Sequence, residues 1–163
     1  MAQSVTEQYI ERAEEMAERG CTLAEAEALC RELGICDDVR FLGKLEAVEE
    51  VLSVADLFIM PSEKESFGLA ALEAMACEVP VISSNTGGLP ELNIQGVTGF
   101  LSPVGDVEDM TRKALFVLDK NNLPVFKVNA LKRAQEFDIS RILPHYEGYY
   151  QRVMERSTSK ATI

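Results

Sequence analysis

The sequence predicts an α/β fold in which helices cover both faces of a parallel sheet of about four strands. Short apolar runs alternate with longer segments whose apolar residues recur every three or four positions, and glycine or proline separates them. Strands that alternate with helices in this way pair in parallel, as in Rossmann-like sheets. The 163 residues, 47% hydrophobic and 26% charged, suit a globular domain with a real core.

The first part of the chain predicts helices. Residues 5–16 have apolar side chains at helical spacing, and Gly20 follows as a stop. Thr22 opens a capping box, which predicts a second helix that ends at Gly34. Neither helix carries a chemical motif, so packing is the simpler interpretation. We assign residues 1–25 to an extra helical segment that precedes the main domain.

Alternating strands and helices are predicted from position 39 onward. The predicted strands are residues 39–42, 56–60, 79–83 and 99–101, and the predicted helices are residues 47–54, 69–77, 90–92, 107–118 and 122–156. The run at 56–60 is nearly all apolar and stops at Pro61, which is typical of a strand buried on both faces. The main domain is therefore predicted over residues 26–156, with a frayed tail at 157–163.

Charge and composition exclude several classes of partner. A net charge of −11 repels phosphate backbones and anionic lipid, so neither a nucleic-acid nor a membrane partner is expected. No apolar run approaches the roughly 20 residues that span a bilayer, and the N-terminus does not resemble a signal peptide, which favours a cytoplasmic location. The four cysteines form no C-x-x-C pair and His145 is the only histidine, so no metal site is predicted.

The stretch that points to chemistry is residues 61–73. It places a loop after the carboxyl end of a strand and then begins a helix, which is where open α/β sheets bind ligands. The backbone amides of Gly68, Leu69 and Ala70 have no partner within such a helix, and its dipole favours an anion at that end. A diphosphate fits there without a large basic cluster.

Two glutamates flank this predicted phosphate position. Glu65 and Glu73 are eight residues apart, and helical rise separates their carboxylates by roughly 10 Å. Carboxylates accept hydrogen bonds from paired hydroxyls, so one could hold a donor sugar and the other a ribose. The alternative is a favourable first-turn charge and a solvated side chain, and spacing alone leaves both open.

An ordered set of motifs resembles a known family. The set runs from Glu65 through Gly68 and Glu73, continues with the strand at 79–82 and the Gly-Gly-Leu-Pro-Glu of residues 87–91, and ends at residues 96–106. It resembles the donor domain of retaining glycosyltransferases with the glycosyltransferase-B fold (glycosyltransferase family 4, group 1). Within the family, the sequence around these motifs is most similar to that of members that transfer N-acetylglucosamine from a UDP-sugar to L-malate in bacillithiol biosynthesis.

The resemblance implies a role for each site residue. Glu65 matches the family glutamate that contacts donor-sugar hydroxyls, and it is the catalytic candidate. The donor-binding candidates are Ser66, Phe67, Gly68, Leu69 and Glu73, with Glu73 matching the glutamate that grips the ribose. Family members work without a metal or another cofactor, and the chain has no Asp-x-Asp motif. The expected ligand is UDP-N-acetylglucosamine or UDP.

The sequence also departs from the family pattern. The N-terminal acceptor domain is missing, as are two expected strands and a basic loop, so the chain is expected to be inactive alone. Residues 39–42 must then pair with 56–60, or two chains must complete each other as a homodimer. Glu78 stands where glycine is expected after a helix. The alternative function is a self-associating structural fragment, or an engineered chain, whose sugar-nucleotide site is vestigial.

Overall fold

The computed structural model describes residues 22–160, and the chain divides into two compact units, Met1–Val48 and Glu49–Ile163. The helix predicted over residues 5–16 lies outside the described residues. Helix α1 (Leu23–Leu33) lies in the first unit, and it confirms the predicted capping box. The hydroxyl of Thr22 accepts from the Glu25 amide at 3.3 Å, and the Glu25 carboxylate accepts from the Thr22 amide at 2.9 Å. Gly34 ends the helix with φ 68°.

The strand predicted at residues 39–42 does not form. This segment is irregular, and the side chains of Phe41 and Leu42 are 45% and 53% exposed. An apolar run becomes a strand only where a neighbouring edge supplies hydrogen bonds to its backbone. In the described part of the chain these residues form no strand, so the strand prediction was wrong, and with it the first alternative, pairing with 56–60. The second alternative, completion by another chain, stays a prediction. The helix expected after it is short, α2 (Val48–Leu52).

Within residues 22–160 the sheet has three parallel strands rather than about four. They are β1 (Phe58–Met60), β2 (Val81–Ser84) and β3 (Gly99–Ser102), in the order β1-β2-β3. In register, Val81 pairs with Phe58 on one side and with Gly99 on the other. The α/β parallel architecture is confirmed. Two crossovers bring the chain back to the same edge of the sheet, so the carboxyl ends of all three strands lie together.

Burial differs between the central strand and its neighbour. Strand β2 is buried along its whole length, as a strand between two others should be. Strand β1 is an edge strand of this sheet, and Ile59 is 50% exposed. The prediction that this run is buried on both faces was therefore wrong, because its apolar composition did not reveal how many neighbours it has.

Five helices follow β1 along the chain. They are α3 (Leu69–Ala76), α4 (Leu89–Leu92), α5 (Val107–Leu118), α6 (Leu123–Glu136) and α7 (Ile139–Lys160). Val81 and Ile82 are adjacent in β2 and point to opposite faces of the sheet. Val81 belongs to an apolar cluster with residues of α3, α4 and α6, whereas Ile82 packs with residues of α5 and with Phe126. Helices therefore cover both faces, as predicted.

A buried polar network holds α4 against the sheet. The side-chain amide of Asn93, the residue that ends α4, donates to the carbonyl oxygens of Val81 and Phe100 and to the hydroxyl of Ser83, at 3.0–3.1 Å. Its side-chain oxygen accepts from Thr98 at 2.9 Å. Because every polar atom of this fully buried amide has a partner, the network fixes α4 relative to two strands.

The C-terminal part of the chain is interrupted once. Phe137 ends α6, and Asp138 then accepts hydrogen bonds from the amide and the hydroxyl of Ser140, which start α7. The hydrogen bonds from Ser140 lower the pKa of Asp138. Helix α7 contains Pro144 and continues to Lys160, four residues past the end that we predicted; residues 157–160 contain neither glycine nor proline to end it.

Candidate functional site

The loop between β1 and α3, residues 61–68, leaves the sheet at the carboxyl ends of its strands. We call it the β1–α3 loop. It reaches α3 through Gly68, which has φ 96° and ψ 48°, a left-handed conformation that glycine adopts readily. A Cβ atom on Gly68 would lie 2.6 Å from the side chain of Leu89, so another residue here would be strained by its φ and would have to displace Leu89. The chain therefore enters α3 with its backbone pressed against α4.

The first turn of α3 presents backbone amides to the outside. No side chain caps this helix end, and the amides of Leu69 and Ala70 have no acceptor among residues 22–160. Leu69 is 65% exposed, whereas Ala71 is fully buried. Free amides and the helix dipole together make this end electropositive in a chain of strongly negative net charge.

Glu65 is fixed by its own loop. One oxygen of its carboxylate, Oε1, accepts from the amide of Ser66 at 2.9 Å and from the amide of Phe67 at 3.4 Å. The side chain is half-buried, and Oε2 has no hydrogen-bond partner in the described part of the protein. The carboxylate is thus held in place and keeps one oxygen for an external donor group.

Glu73 lies one turn into α3. It is exposed, and at three and four positions beyond Ala70 and Leu69 it shares their face of the helix. The opposite face, with Ala71, Ala74 and Met75, is buried in the core. The carboxylate of Glu73 and the free amides therefore lie on one accessible side, next to the loop that carries Glu65.

The Gly87–Gly88 turn supports the β1–α3 loop from below. The amide of Gly88 donates to the carbonyl oxygen of Glu65 at 3.4 Å, and the hydroxyl of Thr86 donates to that of Glu63 at 3.0 Å. A Cβ atom on Gly87 would lie 1.5 Å from the oxygen of Glu65, and one on Gly88 would lie 2.4 Å from that of Ser66. The two glycines let backbone pack on backbone in this turn.

One residue that contacts this loop, Phe137, lies outside the motifs of the sequence. The ring of Phe137 meets the ring of Phe67 edge to face, with centroids 5.7 Å apart. Seventy positions separate the two residues in the sequence, so no local pattern links them. In the sequence, a phenylalanine near the end of a helical pattern was the available signal.

A second polar cluster lies at the end of β3. Asp109 is buried and pairs with Lys113 and Arg112, and the amine of Lys113 also donates to the carbonyl oxygen of Leu101 at 2.6 Å. Hydrogen bonds from Lys113 and Ser102 lower the pKa of Asp109. These charges satisfy one another, so the cluster ties α5 to β3.

Residues 22–160 contain neither a cluster suited to a metal ion nor a helix suited to a bilayer. No group of three or more His, Cys, Asp or Glu side chains in this range is close enough to hold a metal ion. No helix in the same range is long and apolar enough to cross a bilayer.

Residues 19–133 match the family described as Glycosyl transferases group 1. The chain is 41% identical over 139 residues to N-acetyl-alpha-D-glucosaminyl L-malate synthase of Bacillus anthracis, which covers 82% of this chain and 35% of that protein. It is 36% identical over 140 residues to D-inositol 3-phosphate glycosyltransferase of Mycolicibacterium smegmatis, covering 83% and 32%. The chain thus spans about a third of the length of these curated relatives.

Solved structures share the fold. Sucrose-phosphate synthase from Thermosynechococcus elongatus superposes with a TM-score of 0.73 at 31% identity, over 82% of this chain and 34% of that one. Anabaena Alr3699/HepE in complex with UDP and glucose superposes with a TM-score of 0.70 at 29% identity, over 79% and 36%.

Proposed function

Because the chain belongs to the Glycosyl transferases group 1 family, we propose that it is the nucleotide-sugar-binding domain of a retaining glycosyltransferase and that it binds a UDP-sugar. The observation that carries the proposal is the open end of α3, with free amides at Leu69 and Ala70 between two glutamates. The HepE structure, which contains UDP and glucose, supports this choice of ligand.

The diphosphate is proposed to bind at the first turn of α3. Exposed amides donate to phosphate oxygens, and the helix dipole offsets part of the negative charge. This mode of binding suits an acidic protein, because it needs no basic surface. Gly68 allows the left-handed turn that brings the backbone to this end of α3.

The two carboxylates are proposed to hold the hydroxyl groups at the two ends of the ligand. Glu73, on the exposed face of α3, accepts from the ribose hydroxyls. Glu65, fixed by the amides of Ser66 and Phe67, offers Oε2 to the donor sugar. Charge-assisted hydrogen bonds of this kind contribute about 1.5–3 kcal/mol each.

Retention of configuration is proposed on family grounds. The bond between the anomeric carbon and the phosphate oxygen breaks, the acceptor oxygen bonds to the same face of that carbon, and the departing phosphate takes the acceptor proton. The role of this domain is to hold the sugar and the diphosphate in register, so no metal or cofactor is proposed. The likeness to the malate synthase favours N-acetylglucosamine as the sugar and L-malate as the acceptor.

The acceptor site is proposed to lie in the other domain of the family fold, so that this domain binds a donor but does not transfer it alone. A cytoplasmic location also stays a prediction from the sequence.

Isothermal titration calorimetry with UDP and UDP-N-acetylglucosamine tests the proposal. Glu73→Gln is expected to weaken both ligands by about tenfold or more, the equivalent of one charge-assisted hydrogen bond. Glu65→Gln is expected to weaken the UDP-sugar by a similar factor and to leave UDP unchanged, because only the sugar contacts Glu65. Glu63→Gln, an exposed change in the same loop, is the control and should alter neither affinity. Absence of binding by the unaltered chain at millimolar ligand would refute the proposal.

Self-association is the second candidate function. One observation favours it: α7 has a stripe of exposed apolar side chains at helical spacing, Ile139, Leu143, Tyr146, Tyr150 and Val153. A dimer by sedimentation velocity, together with no binding of either nucleotide, would favour a structural role over sugar binding.

A further inference from the structure

We propose that Arg133 and Phe137 are positioning residues that fix the β1–α3 loop, and with it Glu65, from helix α6. The inference deepens the proposed function, because the loop that they hold carries the proposed sugar contact. Neither residue lies in the motifs that define the candidate site. Their contacts with each other and with the loop carry the argument.

Arg133 joins the last turn of α6 to the end of α4. Its Nε donates to the carbonyl oxygen of Leu92 at 3.2 Å, and a second guanidinium nitrogen donates to that of Glu91. A third nitrogen forms an ion pair with Glu136. The Arg133 side chain is 22% exposed, and its bond to Leu92 is partly buried. The planar guanidinium can reach both carbonyls at once, which a lysine amine cannot do with the same geometry.

The same guanidinium group stacks on Phe137. Its central carbon lies 4.8 Å from the centroid of the Phe137 ring. That ring in turn meets Phe67 at an interplanar angle of 69°. Phe67 is part of the β1–α3 loop, and its own amide donates to Glu65. The contact therefore reaches the residue whose backbone holds the glutamate.

These contacts connect the β1–α3 loop to α4 at two points. On one side, Gly88 at the start of α4 bonds to the carbonyl oxygen of Glu65. On the other side, Arg133 connects the end of α4 through Phe137 to Phe67. The loop is thus held at two points by elements that are themselves joined. Such support keeps a binding geometry ready before the ligand arrives and reduces the ordering cost of binding.

A purely structural role predicts a different result. If Arg133 and Phe137 only stabilise the packing of α6, their substitution lowers global stability and leaves the loop as ordered as the rest of the domain. If they position the loop, substitution frees the loop more than it frees the central strand. Local amide exchange separates the two cases.

Amide hydrogen exchange by NMR on the ligand-free chain is the primary test. Phe137→Leu should increase exchange at Ser66 and Phe67 by about fivefold, the equivalent of one aromatic contact, relative to exchange at Ile82 in β2. Arg133→Lys should act in the same direction. It preserves the positive charge, and it provides a second test if Phe137→Leu folds poorly. Phe116→Leu, which removes a ring contact elsewhere, and Lys132→Gln, which removes an exposed cation nearby, are the controls. Equal acceleration in the loop and in β2 would overturn the inference.

Calorimetry provides the second readout. Phe137→Leu should weaken UDP-N-acetylglucosamine about fivefold and leave UDP unchanged, because Phe67 supports Glu65, the proposed sugar contact, whereas the diphosphate is proposed to bind the amides of α3. The double variant of Arg133→Lys and Phe137→Leu should bind no more weakly than the weaker single variant, since the two residues act in series. Additive losses would overturn the inference. If the unaltered chain binds neither ligand, the proposed function fails, and the exchange result still decides whether the two residues hold the loop.

Discussion

Substitution of Gly88 by alanine tests how closely the Gly87–Gly88 turn supports the candidate site. Gly88 has φ −83° and ψ −6°, a conformation that alanine adopts without strain. The added methyl group would nevertheless lie 2.4 Å from the carbonyl oxygen of Ser66 and 2.9 Å from the Cα atom of Phe67. Any effect of Gly88→Ala therefore comes from collision with the β1–α3 loop and not from backbone conformation.

The size of the effect follows from these distances. Real Cβ atoms essentially never approach another heavy atom closer than 3.0 Å, so the turn and the loop must separate by roughly 0.6 Å. Both contacted atoms belong to backbone and cannot rotate away. Overpacking of this kind costs about 1–3 kcal/mol of unfolding free energy. The movement also displaces the amides that hold Glu65, and we expect UDP-N-acetylglucosamine to bind about tenfold more weakly.

Urea unfolding followed by circular dichroism gives the stability, and calorimetry gives the affinity. Gly148→Ala in α7 is the matched control, because its methyl group would meet nothing closer than Arg152 at 3.6 Å. Alanine in place of glycine within a helix should raise stability by up to about 1 kcal/mol and should leave donor binding unchanged. If Gly88→Ala has the stability and the donor affinity of the unaltered chain, the turn does not support the loop and the reasoning fails.

Three further outcomes are expected. Glu78→Gly should raise the unfolding free energy by about 1 kcal/mol, because Glu78 is exposed and has φ 64°; a loss of stability in urea would contradict this. Asp109→Asn should lower stability at neutral pH and flatten its decline in acid. The lowered pKa of Asp109 means that its contribution is present above 3.8 and lost as pH falls below that value; unchanged unfolding curves from neutral pH to about pH 3 would contradict this. EDTA should not alter the affinity for UDP in calorimetry, and a loss of binding restored by Mg²⁺ would show that the site needs a metal.

Features set by local chemistry could be predicted from the sequence. The capping box at Thr22 depends on residues three positions apart, and the left-handed residue after α3 follows from where that helix must stop. Val79 and Glu78 donate to the carbonyl oxygens of Ala74 and Met75, which is the hydrogen-bond pattern that closes a helix in this conformation. Glycine normally occupies such a position. The left-handed conformation of residue 78 could therefore be predicted from where the helix ends, and the sequence shows that this residue is a glutamate.

Features set by neighbours could not be predicted in the same way. Residues 39–42 have the composition of a strand, but a strand also needs an edge to pair with. The apolar run of β1 suggested two covered faces, whereas its position at the edge of this sheet leaves Ile59 half exposed. The composition of a segment shows which secondary structures it can adopt, and its contacts with the rest of the chain determine which one forms and how far it is buried.

The candidate site depends both on a local sequence motif and on contacts with residues that are distant in the sequence. The motif places free amides and two glutamates around one helix end, and this part is local. The position of Glu65, however, depends on Gly88 and Phe137, which lie 23 and 72 residues further along the chain. A chain that kept the motif and lost either support would still match the family by sequence, and its loop would be less ordered. Donor affinity across variants should therefore follow the exchange rates of the loop amides more closely than it follows the motif itself.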